Sequence, residues 1–262
     1  MTTPEAAHDQ IRSAASATGD ELTALLHHPA SGVLLALLDN PAVDETHLCL
    51  MLERKDLPGE VLEEVGKRKA LLKSYRVKRA LAFHVRTPRI IGLRLLRDLY
   101  LMDLIQITLL PSVNAELKRN AEEQVLARLP QVPLGQKITL ARRGPARVAG
   151  ALLAEGHAQI LPVALDNPNL TEAQILRVLA HQKVPPAVTQ GIAAHRKWAH
   201  VYNVRLALVR NASSSLSTIL AYLPHLTVSD LRELAAPGIV AENLRRYLLA
   251  EIHRRTSSLP KS

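Results

Sequence analysis

The sequence repeats itself at an interval of 127 residues, without a gap in the alignment. The run Leu38–Pro41 falls on the identical run Leu165–Pro168, and Tyr75 falls on Tyr202. Regular self-similarity is the signature of a repeat architecture. We therefore interpret the chain as a tandem duplication of a unit about 127 residues long.

A shorter repeat of about 44 residues lies inside each copy. The segments Val33–Leu37, Val77–Leu81, Ile160–Ala164 and Val204–Leu208 share apolar residues at positions i, i+3 and i+4, which is the pattern of one helix face. Each segment leads through a polar turn to a second apolar stripe, and no segment alternates as a strand would. The pattern predicts an all-α protein whose helices, of about 8 to 15 residues, fill nearly the whole chain.

The turns between these helices carry their own signals. Asn40, His84, Asn167 and Asn211 follow the first helix of each block, and we expect them to adopt the left-handed conformation that ends many helices. Candidates for the N-cap of the next helix are Asp44, Thr87, Thr171 and Ser213 or Ser214.

Composition restricts the class of protein further. Aromatic residues are 3% of the 262 residues and hydrophobic residues 47%, so the core must be built from Leu, Ala, Val and Ile. The single Cys49 excludes a disulfide framework and a cysteine-based zinc or iron–sulfur site. The N-terminal residues lack the features of a secretory signal, and every apolar stretch is shorter than the roughly 20 residues of a membrane span. We expect a soluble, cytoplasmic, monomeric protein.

Each block consists of an apolar Val-x-x-Ala-Leu segment, a polar stop and a second Leu-rich helix. This pattern resembles HEAT-like repeats and is most similar to the leucine-rich-repeat-variant type of bacterial α-solenoid. The resemblance is carried by Val33–Leu52, Val77–Leu96, Ile160–Leu179 and Val204–Leu223. It implies a right-handed α-solenoid of short helices with a binding role. The iron–sulfur cluster of some variants needs several cysteines and cannot apply here.

We expect residues 1–262 to form one continuous α-solenoid, since the segment between the two copies is short and apolar. The internal halves are about 1–128 and 129–256, and a short polar tail covers 257–262.

No motif for catalysis, phosphate binding or metal binding is present, so we predict no catalytic, cofactor or metal site. Asp103 and Asp230 occupy equivalent positions at helix starts, where a carboxylate is favourable. The equivalent Tyr75 and Tyr202 either hydrogen-bond across a turn or stack on a ligand. Trp198, four residues before Tyr202, keeps the second interpretation open.

Charge is distributed unevenly between the copies. Residues 1–128 hold 17 basic and 17 acidic side chains, whereas residues 129–262 hold 16 basic and 7 acidic ones, so the net charge of +9 belongs to the second half. The stretch Lys67–Arg97 contains basic residues but no acid. Its counterpart in the second half, which begins after Glu172 and ends at Ser229, also contains no acid.

These stretches supply the candidate residues for binding an anion or a partner: Lys69, Lys73, Arg76, Lys78, Arg196, Lys197, Arg205 and Arg210. Lys69 aligns with Arg196, and Lys78 with Arg205. A regular row of such side chains would follow a phosphate backbone. Alternatively, the cations cover Leu-rich helices and offset helix dipoles.

Two hypotheses follow. The first is a non-enzymatic scaffold that binds a protein partner along its surface. The alternative is a protein that binds the phosphate backbone of DNA or RNA through the repeated basic positions. An enzyme would need a site that no motif in the sequence reveals.

Overall fold

The structure is a computed structural model that describes residues 4–181 and 183–257, with side chains from residue 8 onward. Within these ranges the chain forms 18 α-helices and five 3₁₀ turns and contains no strand. The predicted all-α class is therefore confirmed. Of the expected tail 257–262, Ser257 is the last residue of the final helix, and the other positions lie outside the described residues. The chain divides into two compact units, Met1–Ala127 and Arg128–Ser262.

The first unit contains nine helices among its described residues, the last of which ends at the unit boundary. They are α1 (Pro4–Ala14), α2 (Gly19–Leu25), α3 (Ser31–Leu37), α4 (Glu45–Leu52), α5 (Gly59–Lys67), α6 (Tyr75–Phe83), α7 (Arg89–Leu95), α8 (Leu101–Leu109) and α9 (Ala115–Arg128). The 3₁₀ turns Leu71–Lys73 and Leu96–Asp98 follow α5 and α7.

The second unit begins with the 3₁₀ turn Leu129–Gln131 and also has nine helices in its described part. They are α10 (Leu134–Arg143), α11 (Ala146–Ala154), α12 (Leu161–Leu165), α13 (Glu172–Leu179), α14 (Pro186–Ala194), α15 (Tyr202–Arg210), α16 (Leu216–Tyr222), α17 (Val228–Leu234) and α18 (Glu242–Ser257). Adding 127 to the bounds of α4, α5, α6 and α7 gives the bounds of α13, α14, α15 and α16. The 3₁₀ turns Trp198–His200 and Leu223–His225 coincide with those of the first unit in the same way.

Within each unit the helices pack in rows. In the second unit α11 contacts α13 and α13 contacts α15, while α10, α12 and α14 form a second row. In the first unit α1, α3 and α5 form one row, and α4 packs against α6. Aliphatic side chains such as Val61, Leu62 and Val65 of α5 are fully buried between the rows. Burial of such apolar stripes against neighbouring helices is the main stabilising term in an all-helical unit.

The expected left-handed conformation at the helix stops is wrong. Positive φ angles in the described residues occur only at glycines, and His84 and Asn211 have φ angles of −72° and −79°. Asn40 and Asn167 likewise have no positive φ. The three asparagines use their side chains instead, because a buried amide can satisfy carbonyl groups that a helix leaves without a partner.

Each of the three buried asparagines donates from Nδ2 to two backbone carbonyls more than twenty residues earlier. Asn40 donates to Ala14 O and Ala17 O at 2.8 and 2.9 Å, and its Oδ1 accepts the Ala42 N–H. Asn167 donates to Ala141 O and Gly144 O at 2.7 and 3.2 Å. Asn211 makes the corresponding bonds to Leu179 O and His181 O, at 2.7 and 3.2 Å.

His84 performs the same task with an imidazole. Its Nε2 lies 2.6 Å from Arg54 O, and its Nδ1 accepts the Arg86 N–H at 3.1 Å. Because Nδ1 accepts, Nε2 carries the proton and donates it to the carbonyl. Arg54 and His181 are 127 residues apart, so His84 and Asn211 cap equivalent carbonyls with different donors.

Two further carbonyls are capped in both units by unrelated side chains. Leu38 O accepts from Arg68 Nη1 at 2.7 Å, and its counterpart Leu165 O accepts from Trp198 Nε1 at 3.0 Å. Gly66 O accepts from Arg94. The counterpart of Gly66 O in the second unit is Ala193 O, which accepts from the Tyr222 hydroxyl at 3.0 Å.

Two of the predicted N-caps are confirmed and two are wrong. Asp44 accepts the His47 N–H at the start of α4, and Thr171 accepts the Gln174 N–H at the start of α13. The Thr87 hydroxyl instead donates to Leu81 O at 2.6 Å, and α7 begins after Pro88.

In the second unit Ser215, rather than Ser213 or Ser214, caps α16. The Ser213 N–H donates to Asn211 Oδ1, and the Ser214 N–H donates to Asn211 O. The turn built on Asn211 therefore occupies both serines, and the helix starts later than expected.

We predict that Asn167→Ala lowers the free energy of unfolding by about 2–3 kcal/mol. Asn167 is 2% exposed, and in the variant Ala141 O loses its side-chain donor, Gly144 O loses one of two donors and the Asn169 N–H loses its acceptor. Asn167→Asp should be more destabilising, since a carboxylate oxygen would face those carbonyls. Urea unfolding followed by the fluorescence of Trp198, the only tryptophan, measures both.

The matched control is Asn169→Ala, which removes an exposed amide that bonds to Arg143 O and Gly144 O at 3.4 and 3.2 Å. It should cost about 0.5 kcal/mol or less. Equal stabilities of the Asn167 and Asn169 variants would contradict the structural role of the buried amide.

Candidate interaction surface

Three of the eight candidate basic residues are paired with carboxylates. Arg76 Nη1 lies 3.2 Å from Glu45 Oε1. Lys78 Nζ lies 2.7 Å from Asp98 Oδ2, and Arg210 Nη2 lies 2.5 Å from Glu233 Oε1. Each pair joins a helix to a neighbouring element of the same unit.

Two more candidates pack against aromatic rings or the backbone. Arg205 donates from Nε to Ala199 O at 2.7 Å, and its guanidinium lies 5.8 Å from the centroid of the Tyr222 ring. The Lys197 ammonium lies 4.1 Å from the centroid of the Trp198 ring.

The remaining candidates, Lys69, Lys73 and Arg196, are exposed, and their side chains form no hydrogen bond or ion pair with the described residues. Lys69 and Lys73 follow α5 in the first unit, whereas Arg196 follows α14 in the second. Arg196 and Lys197 are adjacent in sequence, and no side-chain hydrogen bond joins any two of the eight candidates among the described residues.

The acid-free stretch Lys67–Arg97 is largely neutralised in space by acids from outside it. Besides Arg76 and Lys78, the paired residues are Lys67 with Glu63, Arg68 with Asp39 and Glu64, Arg79 with Asp103, and Arg89 with Glu116. Arg86 and Arg94 donate to backbone carbonyls. Most of the positive charge in this stretch is therefore engaged within the first unit rather than forming an open cationic row.

An open groove of about 500 Å³ lies between α4 and α6 in the first unit. Helix α6 lines it with Arg76, Arg79, Ala80 and Phe83. This spacing of i, i+3, i+4 and i+7 makes a second stripe along the helix. The first stripe, which includes Val77 and Leu81, is buried in the core. A stripe that the core does not use thus remains available to a partner.

The other wall of the groove comes from α4 and the turn after it. Cys49 and Leu52 belong to α4, and Glu53 and Lys55 follow. Burial raises the pKa of the Cys49 thiol, which therefore stays protonated and serves as a small apolar lining group.

Phe83, the only phenylalanine of the chain, is half-buried at one end of the groove. The Arg79 guanidinium lies 4.7 Å from its ring centroid. Arg79 is held in this position by Asp103 Oδ1, 2.7 Å from Nε, and by Gln106 Oε1, 3.1 Å from Nη2. The aromatic ring and the guanidinium are therefore oriented before any partner arrives.

A second groove, of about 330 Å³, lies between α13 and α15 in the second unit. Its lining residues are Leu176, Leu179, Ala180, Asn203, Leu206, Ala207 and Arg210. Each of them lies 127 positions after a residue that lines the first groove. The same surface has thus formed twice, with charged and aromatic residues in one copy and mainly apolar residues in the other.

Another depression, of about 510 Å³, lies between α14 and α16. Small side chains such as Ala193, Ala194, Ser215 and Ser217 dominate it, and Tyr222 is its one aromatic lining residue. Tyr222 already donates to Ala193 O. Few groups in this depression could anchor a partner.

The hydrogen-bonding interpretation of Tyr75 and Tyr202 is confirmed. The Tyr75 hydroxyl donates to Asp103 Oδ2 and accepts the Tyr100 N–H at 3.0 Å. The Tyr202 hydroxyl donates to Asp230 Oδ2 and accepts the Thr227 N–H at 3.0 Å. Asp103 and Asp230 lie in the first turns of α8 and α17, as expected.

The electrostatics of these pairs follow from their hydrogen bonds. Bonds from the Thr227 and Tyr202 hydroxyls lower the pKa of Asp230. Burial, followed by the bond to Asp103, raises the pKa of Tyr75 to about 12. Trp198 is buried and bonded to Leu165 O, so its indole is not an exposed stacking surface.

Sequence reasoning identified the charged residues but missed both grooves. The signal was present as the second stripe on α6, and again at the same spacing on α15. Whether such a second stripe lines a groove depends on which helix packs beside it, and the local periodicity of the sequence does not identify that neighbouring helix.

Comparisons of the chain with protein-family models, curated proteins and solved structures gave no significant match. Among the described helices, none is both long and apolar enough to cross a membrane. The described residues also contain no group of three or more His, Cys, Asp or Glu side chains placed to hold a metal ion.

We predict that the Tyr75 phenol ionises near pH 12 in the folded protein, against a normal value of 10.0. Its raised pKa contributes stability that is fully present below pH 10 and is lost as the pH rises towards 12. The ultraviolet titration of tyrosinate in wild-type protein, minus that in Tyr75→Phe, should show a midpoint near 12. A midpoint at the normal value would contradict the proposed environment of this hydroxyl.

Proposed function

We propose that the protein is a non-enzymatic interaction scaffold made of two copies of a HEAT-like helical-repeat unit. Its partner is a protein, bound on the surfaces formed by α4 with α6 and by α13 with α15. The duplication is supported by the helix bounds shared between the units and by capping contacts at equivalent carbonyls.

The observation that carries the proposal is the recurrence of one groove at the same place in both units. The stripe on each lining helix is separate from the buried core stripe, so a partner could contact it without disturbing the fold. Volumes of about 500 and 330 Å³ suit one or two inserted side chains of a peptide segment. A groove between two helices is a common place for such a segment to bind.

The placement of the cations favours a protein partner over nucleic acid. Four of the eight candidate residues are held by contacts within their unit: Lys78 and Arg210 by carboxylates, Arg205 by a backbone carbonyl and Lys197 by an aromatic ring. Binding to a phosphate backbone depends on cations that are free to replace its counterions. Stacking platforms for single strands are also few, since Trp198 is buried and Tyr100 and Tyr247 are the exposed aromatic side chains among the described residues.

The proposal predicts groove-dependent peptide binding. Random 12-residue peptides displayed on phage would be selected against the full chain and then tested on Ala80→Trp and Ala207→Trp, each of which fills one groove. Selected peptides should bind at least one of these variants about ten-fold more weakly, a loss of about 1.4 kcal/mol.

The matched control is Ala250→Trp, which places the same side chain at an exposed position of α18. It should bind the selected peptides as the wild type does. Peptides that bind all four proteins equally would contradict groove-mediated recognition.

A titration with nucleic acid separates the two candidate functions. We expect no binding of a 20-base-pair DNA or RNA duplex at 150 mM NaCl, because most cations in the stretch Lys67–Arg97 are already engaged. Submicromolar binding that Lys69→Ala or Arg196→Ala weakens would favour the nucleic-acid function instead.

A further inference from the structure

The two grooves differ in charge although they occupy the same position in their units. Lys55, Arg76 and Arg79 line the first groove, with Glu53 as the one acidic lining residue. Their counterparts in sequence are Gln182, Asn203 and Leu206. Helices α13 and α15 have the same bounds as α4 and α6 after the shift of 127, so the fold forms without cations at these positions.

The cations of the first groove can accept new partners. Lys55 is exposed and forms no ion pair with a described residue. Arg76 is paired with Glu45, but their side chains are 67% and 43% exposed, so water screens the pair and it exchanges readily. Arg79 uses two of its five N–H groups for Asp103 and Gln106, and the others are not bonded to described residues.

Apolar groups lie directly beside these cations. Phe83, Ala80 and Leu52 line the groove, and Val85 at its end is 51% exposed. The stripe from Arg76 to Phe83 covers eight residues of α6, or about 10 Å along the helix axis. That length matches two turns of a partner helix or about three residues of an extended segment.

We propose that the first groove binds an acidic segment of a partner protein that also carries an apolar side chain. The apolar side chain packs on Phe83 and Ala80, and carboxylates before or after it pair with Lys55 and Arg76. Arg79 holds the phenylalanine ring in place and presents its remaining N–H groups. This inference rests on the proposed function, because it names the partner chemistry of the same surface.

The test uses the random 12-residue peptides selected against the full chain, and a variant that copies the second unit. Lys55→Gln, Arg76→Asn and Arg79→Leu together install the residues found at the equivalent positions. Leu206 shows that the loss of an arginine here leaves the tyrosine–aspartate bond of the unit in place. The control combines Lys69→Gln, Lys73→Gln and Arg119→Gln, which removes the same charge from exposed positions outside the groove.

We expect the peptides that depend on the first groove to be enriched in Asp and Glu around a Leu, Ile, Phe or Trp. Their affinity should fall at least ten-fold on the groove variant, change less than two-fold on the control variant, and fall at least five-fold between 50 and 300 mM NaCl.

The outcomes distinguish this inference from the proposed function. Peptides that Ala80→Trp blocks, but that are neutral or basic or bind the groove variant normally, would overturn the acidic-partner inference alone. If neither Ala80→Trp nor Ala207→Trp weakens any selected peptide, both the inference and the proposed function are wrong.

Discussion

The fold depends on side-chain donors that reach back to the carbonyl groups at the ends of earlier helices. An α-helix leaves its last four carbonyls without an internal partner, and α4 has only eight residues. Unsatisfied carbonyls are therefore a large fraction of the backbone in a stack of such short helices. Residues 23 to 33 positions later supply the missing donors, as Asn167 does for Gly144 O and Trp198 for Leu165 O. The same bonds join elements of a unit that are distant in sequence.

This requirement explains where much of the positive charge lies. Arg54, Arg68, Arg86 and Arg94 each donate to carbonyls of an earlier turn in the first unit. A cation is favourable at the negative end of a helix dipole, so arginine suits the carbonyls that Arg54, Arg68 and Arg94 cap at the ends of α2, α3 and α5. The carbonyls that Arg86 caps lie in the loop before α5. At two of the equivalent carbonyls of the second unit, Trp198 and Tyr222 donate without charge. Other basic side chains, such as Lys55, form no ion pair with a described residue, and Lys55 lines a groove.

Much of the secondary structure could be predicted because its signals are local. Apolar spacing predicted the helices, and Asp44 and Thr171 are caps whose bonds span three residues. The left-handed conformation predicted for Asn40 and Asn167 is wrong because their side-chain hydrogen bonds, which set the turn, connect residues 23 and 26 positions apart. The acid-free stretch suggested unpaired cations, but their acidic partners are distant in sequence. Arg76 and Glu45, for example, are 31 residues apart. The grooves required knowledge of which helices lie side by side.

The most direct test of this account exchanges the two ways of capping one carbonyl. Trp198→Leu removes the donor to Leu165 O and introduces leucine, the residue at the equivalent position 71 of the first unit. The second change, His195→Arg, introduces arginine, the residue at the equivalent position 68. An arginine there can reach both Leu165 O and Asp166, as Arg68 reaches Leu38 O and Asp39. Urea unfolding followed by circular dichroism should show that the double variant recovers about 1–2 kcal/mol of the stability lost in Trp198→Leu. A double variant no more stable than Trp198→Leu would contradict the claim that side-chain capping of these carbonyls stabilises the fold.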